Sequence, residues 1–307
     1  MPAEKVDIGE LGRIISHDPS MAARVLKVAN SPHYATRGAV STVRQAIVII
    51  GLTDLMSLLM VTSLMEGLSQ GATMANLSPL DFWSHSVAVG SAARACARYW
   101  GSDMLSLPEL NLAGLLHDIG KSVFIRHFPR EADLCIERVT EKHGDLLATE
   151  AEIFGITHAE LGGVLTKEWN LPEFIVQVAR YHHAPSEADD AYRHVTRIVA
   201  WSDTLALTEG IGRSGNVPAP SLPVCAEETE LPEDRLDTHR SEVLKVVSQD
   251  LELVTMTPEP DKPADAATAE QDEEDDQPRS RRLAPEPKRP PKAGILGRVL
   301  GFFSSRR

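Results

Sequence analysis

From Asp7 to Thr208 the apolar residues recur three and four apart, and no stretch shows the alternation of a half-buried strand. That spacing restricts the body to packed helices joined by short loops. Asp7 to His17 and Pro19 to Asn30 read as two amphipathic helices separated by Asp18-Pro19, because proline suits a first helical turn. Ser41 is expected to cap a helix from Thr42 to Ile50, which Gly51 ends, and Thr53 or Asp54 opens the next, to about Leu68. From Ser78-Pro79 a long helix is predicted to Trp100. Helices follow over Pro108 to His117, around Val123 to His127, and over Arg130 to His143 and Asp145 to Phe154. Thr157 to Trp169, Pro172 to His183 and Tyr192 to Thr208 close the set. Glu209 to Pro232, rich in glycine and proline, reads as a loop, and Glu233 to Leu251 recovers a helical pattern.

One stretch carries chemistry as well as periodicity. In Ala113 to Lys121, AGLLHDIGK, an apolar run ends in an adjacent histidine and aspartate, then a glycine that can close the helix and a lysine. Leu112, Leu115 and Leu116 point the segment into a core, so His117 and Asp118 stand where a helix leaves it. Two ionisable groups there need a hydrogen-bond network or a metal ion, since burying them unpaired costs on the order of several kcal/mol.

Composition narrows the class. At 307 residues and 42% hydrophobic content the chain can bury a substantial core without staples. Cys96, Cys135 and Cys225 are far apart and form no Cys-x-x-Cys pair, so neither a disulfide framework nor a thiolate zinc site is indicated, and a reducing, cytoplasmic setting is expected. The N-terminus lacks the pattern of a signal peptide. Ala46 to Met65 is long enough to suggest a membrane span, but Gly51 and Asp54 interrupt it, and two buried helices joined by a tight turn explain it better.

The formal net charge of -13 falls on Met1 to Val254, because the acidic run to Pro278 and the basic run after it cancel. An acidic body repels phosphate backbones, so no nucleic-acid partner is expected for it. After Val254 apolar content collapses and charge is blocked by sign, the composition of a disordered tail. Within 294–303, Ile295, Leu296, Val299, Leu300, Phe302 and Phe303 recur at near-helical spacing beside Arg298. A membrane-surface or partner-groove contact and a frayed terminus are both consistent with it.

Metal-competent side chains fall at the ends or inner faces of several predicted helices: His85, His117 with Asp118, His158, His182 with His183, and Asp203. Imidazole and carboxylate donors suit manganese, iron or zinc. No pair has the spacing of four residues that makes a local helical site, and any one of these histidines alone is more ordinarily a hydrogen-bonded core residue. Trp83, Trp100, Trp169 and Trp201 are dispersed and read as core packing, and the remaining histidines as surface or capping residues.

The order and contexts say more. A histidine in FWSHS, then HDIGK, a histidine heading a Gly-Gly helix, YHH and AWSD together resemble the HD superfamily of metal-dependent phosphohydrolases. The resemblance implies that His85, His117, Asp118 and Asp203 bind one divalent ion. It implies further that His158, His182 and His183 bind a second, and that Lys121 matches a lysine near substrate phosphate in catalytic relatives. IISHDPSMAARVLKVANSPHYA and STVRQAIVIIGLTDLMSLLM resemble, more closely, the HDOD domain of bacterial signalling proteins, and the likeness covers roughly Ile8 to Leu207.

The likeness implies an all-α, two-lobed domain with an N-terminal helical lobe over 1–70 packed on an HD-like lobe over 71–208; composition and apolar spacing add a loop over 209–232, a helix over 233–254 packing on the domain, and the tail over 255–307. The chain begins inside the domain's usual first helices, which leaves either an incomplete lobe or a start upstream of Met1. The function implied is a regulatory module that contacts a signalling protein and binds metal or nucleotide. The alternative is a metal-dependent phosphohydrolase of nucleotides or cyclic dinucleotides. Against cyclic dinucleotides, APSEADDAY follows YHH where that branch carries Gly-Tyr-Pro.

Overall fold

The computed structural model describes residues 7–31, 34, 40–51, 55, 59, 77–100, 105–142, 144–213, 215 and 233–255. Twelve α-helices, one short 3-10 helix at Pro185–Glu187 and no strand are defined among them, as the apolar spacing requires. Of the helix expected from Thr53 or Asp54 to about Leu68 only Leu55 and Leu59 are described, both helical; the rest of it, most of the 209–232 loop, the tail beyond 255 and its amphipathic end over 294–303 lie outside the described residues.

Helices α1 (Ile8–Ser16), α2 (Pro19–Ala29) and α3 (Val43–Ile50) gather Ile15, Val25, Val28, Val43, Ile47 and Ile50 into one apolar cluster. Asp7 caps α1 by accepting the Gly9 N–H at 2.8 Å. The cap of α3 is Thr42, which accepts the Gln45 N–H, and not the expected Ser41: the chain turns helical one residue later. Asn30, of the Ala-Asn-Ser motif, ties α2 to the segment before α3. Its side-chain amide donates to the Leu26 and Val40 carbonyls and accepts the Val40 N–H, each at 2.8 Å. Gly51 ends α3 at φ 84°, so the apolar run from Ala46 turns there, and no described helix is long and apolar enough to cross a membrane.

The larger cluster is built by α4 (Pro79–Trp100), α5 (Leu107–Leu116), α6 (Ile119–His127), α7 (Pro129–Lys142), α8 (Leu146–Ile153), α9 (His158–Glu168), α10 (Glu173–Tyr181), α11 (Arg193–Thr208) and α12 (Glu233–Thr255). Trp83 and Trp201 fill its centre. Trp169, expected in a core, is 50% exposed because α9 ends there and the chain turns out through Asn170 at φ 52°.

Two glycine contacts set the spacing around the site. A methyl on Gly114 of α5 would lie 2.6 Å from the Gly90 Cα of α4, and one on Gly120 of α6 would lie 2.0 Å from the His158 carbonyl oxygen of α9. Backbones that close admit no side chain between them. Gly120 was expected to close a helix; instead it lies inside α6, which begins at Ile119 and not near Val123, and it serves this crossing. On the far side, Asp250 of α12 accepts from Ser91 and, at 2.6 Å, from Arg94 of α4, while Arg240 of α12 pairs with Glu209 beyond α11.

Candidate metal centre

The helix ends deliver most of the polar side chains. His117 is the C-cap of α5 and Asp118 the N-cap of α6, so one residue step turns the chain from one helix into the next while both side chains stay buried, inside the core and not at its edge. Lys121 lies in the first turn of α6. Thr157, in a reciprocal cap with Glu160, starts α9 so that His158 is its first residue. His182 caps the C-terminus of α10, with His183 next. His85 comes from the first half of α4 and Asp203 from the second half of α11.

These eight residues, scattered over 119 positions of sequence in the separate predicted helices, converge. His85 Nε2 stands 2.9 Å from Asp203 Oδ1, and His117 Nε2 stands 3.8 Å from the same oxygen and 3.3 Å from Asp118 Oδ2. Asp118 Oδ1 faces His158 Nε2 at 3.2 Å and His182 Nε2 at 3.5 Å, and His158 Nε2 lies 3.0 Å from His183 Nε2. Donor atoms close enough to share an ion form two groups that have Asp118 in common: His85, His117 and Asp118, and Asp118, His158, His182 and His183. Lys121 Nζ donates to Asp118 Oδ2 at 2.7 Å.

The fit to a cation is visible in what the ring nitrogens do. His117 Nδ1 lies 2.7 Å from the Gly114 carbonyl, and His182 Nδ1 lies 3.2 Å from the carbonyls of both Val178 and Ala179. A carbonyl only accepts, so these Nδ1 atoms carry the proton, and in the neutral ring, the form that binds a metal, the Nε2 lone pair faces inward. There it meets carboxylate oxygens, which also only accept. The buried Nε2 atoms of His117 and His182 and Oδ1 of Asp118 have no well-aligned hydrogen-bond partner. Acceptors facing acceptors in a buried space call for positive charge between them, and a divalent ion with N and O ligands supplies it.

Titration follows the same geometry. Burial would raise the Asp118 pKa, but Lys121 and then His117 outweigh it and hold the carboxyl well below its usual range. Burial likewise opposes ionisation of Asp203, and its contact with His85 reverses the shift, downward. Burial lowers the histidines. In His117 the Asp118 charge overcomes this and the pKa rises; in His158 the nearby Glu150 does the same. In His182 and His183 burial prevails and the pKa falls.

Glu150 was not singled out from the sequence. It is buried in α8, and one oxygen, Oε2, accepts both the His158 Nδ1–H at 2.7 Å and the His158 backbone N–H at 2.8 Å. The signal that could have found it is a carboxylate midway between Leu146 and Phe154, on the apolar stripe of its helix. Beneath it a cavity of about 30 Å³ is lined by Lys121, Phe124, Cys135, Leu146, Glu150 and Phe154. Its walls raise the Cys135 thiol pKa to about 12 by burial.

Comparison with known proteins identifies the fold. A family model described as the HDOD domain matches residues 1–185. An uncharacterized protein of Treponema pallidum (strain Nichols) is 26% identical over 210 residues; the match takes in 67% of this chain and 39% of that one, so the chain spans well under half of its curated relative. A solved HDOD domain protein of unknown function from Geobacter sulfurreducens is 25% identical and superposes with a TM-score of 0.66, covering 82% of this chain and 88% of that one. A structure from Marinobacter aquaeolei VT8, named for signal transduction, superposes with the same score at 22% identity, covering 84% and 56%.

Proposed function

Because the chain belongs to the HDOD domain family, we propose that it is a signal-transduction module that acts by contact with a partner protein and holds divalent metal in its core. The observation that carries this reading is the enclosure of a full ligand set. His85, His117, Asp118, His158, His182 and Asp203 are all buried, and only His183 is partly open to solvent. Metal on such ligands ties α4, α5, α6, α9, α10 and α11 together and adds its binding energy to folding. Its occupancy is then a property a partner surface can report. The relative named for signal transduction shares the fold, which supports the setting and names no partner.

The complete ligand set favours a second reading, a metal-dependent phosphohydrolase. A bound divalent ion would supply an activated water and a Lewis acid for a phosphoryl oxygen. Against turnover, Lys121 is buried and its ammonium is already engaged by Asp118.

Elemental analysis of the full chain, purified without added metal or chelator, tests the proposal. Roughly one or two manganese, iron or zinc ions per chain are expected, without hydrolysis of a nitrophenyl phosphodiester. Absence of metal after incubation with excess ions would overturn the metal reading. Hydrolysis abolished by Asp118→Ala would move the assignment to the enzyme.

A further inference from the structure

The two donor groups around Asp118 differ in how their histidines are held. His117 and His182 lean on backbone carbonyls of the helices they cap, which no side-chain substitution removes. His158 leans on a side chain from another helix: Glu150 of α8, buried, through Oε2. The same oxygen accepts the His158 backbone N–H, so Glu150 fixes the ring and the chain that carries it together. An ionised carboxylate is an acceptor only, and this contact therefore keeps the proton on Nδ1 and the Nε2 lone pair toward Asp118.

Resting on the metal reading above, we propose that Glu150 is the positioning residue of the Asp118, His158, His182 and His183 group, and that it selects metal affinity there without acting on the His85 and His117 side. A carboxylate behind a ligating imidazole orients it and raises its basicity, and loss of such a partner weakens metal binding roughly 10–100-fold. Glu150 reaches His158 across the short connection between α8 and α9, whose direction is set by Gly155 at φ 80° and the Thr157 cap. Neither His85 nor Asp203 lies on these elements.

The test is a Mn²⁺ titration of the full chain, wild type against Glu150→Leu and Glu150→Gln, with bound ion counted by electron paramagnetic resonance. Single substitutions His85→Ala and His182→Ala assign the two binding steps. Glu150→Leu is expected to weaken the step that His182→Ala removes by roughly 10–100-fold and to leave the other within about twofold. Glu150→Gln keeps a carbonyl acceptor and should fall between. The ¹⁵N shifts of the His158 ring in metal-free protein provide a readout that general destabilisation does not move. The Nδ1–H form dominates in wild type and loses that dominance in Glu150→Leu.

Equal weakening of both steps, or an unchanged second step, would overturn the role of Glu150 while leaving the metal reading intact. Wild-type protein that takes up no ion would overturn both. Should Glu150→Leu fail to fold, wild type against Glu150→Gln decides, a selective loss of threefold or more at the second step being the expected result.

Discussion

The N-terminal cluster and the larger one are both helical, yet they are held by different forces. Around Ile15, Val28 and Ile47 the buried side chains of α1 to α3 are apolar, with Ser31 the one buried polar residue among those described there. Around Asp118 the core of α4 to α12 contains imidazoles, carboxylates and a lysine, all nearly inaccessible to water. The first region needs only burial of apolar surface. The second has to balance charge at fixed distances, so it tolerates less change in backbone position. The contrast shows why the chemistry sits where glycines bring helices into contact.

Five substitutions test this contrast. The largest effect is expected from Asp118→Ala, which leaves Lys121 buried without its partner and removes the carboxylate common to both donor groups. Breaking such a pair costs about 3–5 kcal/mol, and chemical denaturation with metal analysis should show that loss and no bound ion. His117→Ala combined with it should leave most helicity in circular dichroism; collapse of the fold would mark the network as structural alone. Ile47→Ala in the other cluster should cost about 2–5 kcal/mol by leaving a cavity, with metal content unchanged.

The sharpest comparison uses one substitution in both regions. Gly120→Ala pushes a methyl onto the His158 carbonyl and should destabilise by about 1–3 kcal/mol while weakening metal binding. Gly12→Ala, inside α1, meets nothing closer than Ile47 Cδ1 at 3.6 Å and should stabilise by about 0.5–1 kcal/mol. Equal signs in thermal unfolding would refute the distinction. The smallest effect concerns pH. The folded-state pKa of Cys135 is raised to about 12, above its ordinary 9, so the folded chain keeps a proton that the unfolded chain releases. Its contribution is complete below about pH 9 and is lost as pH rises toward 12, and thiol labelling at pH 8 should be slow until the protein unfolds.

Much of the helical plan was legible because caps and apolar spacing are local. Asp7 and Thr157 mark their helix starts as read. Gly120 shows the limit: its local meaning is a helix stop, and its actual role depends on a carbonyl 38 residues away in sequence. The metal-competent histidines and aspartates were legible as a series, through context and not spacing, because each sits near a helix end or on an inner face. Glu150 was not, since a single glutamate in a short helix resembles any exposed one until its partner ring is placed against it. Trp169 failed for the converse reason: size predicts burial only where a second helix arrives to cover it.

The recognisable family segment stops at residue 185, whereas the carboxylate facing His85 is Asp203 on α11, and α12 braces α4 and the end of α11 from beyond it. A piece cut at residue 185 would keep His117, Asp118, His158, His182 and His183 but lose the carboxylate that faces His85 and the helix that braces α4.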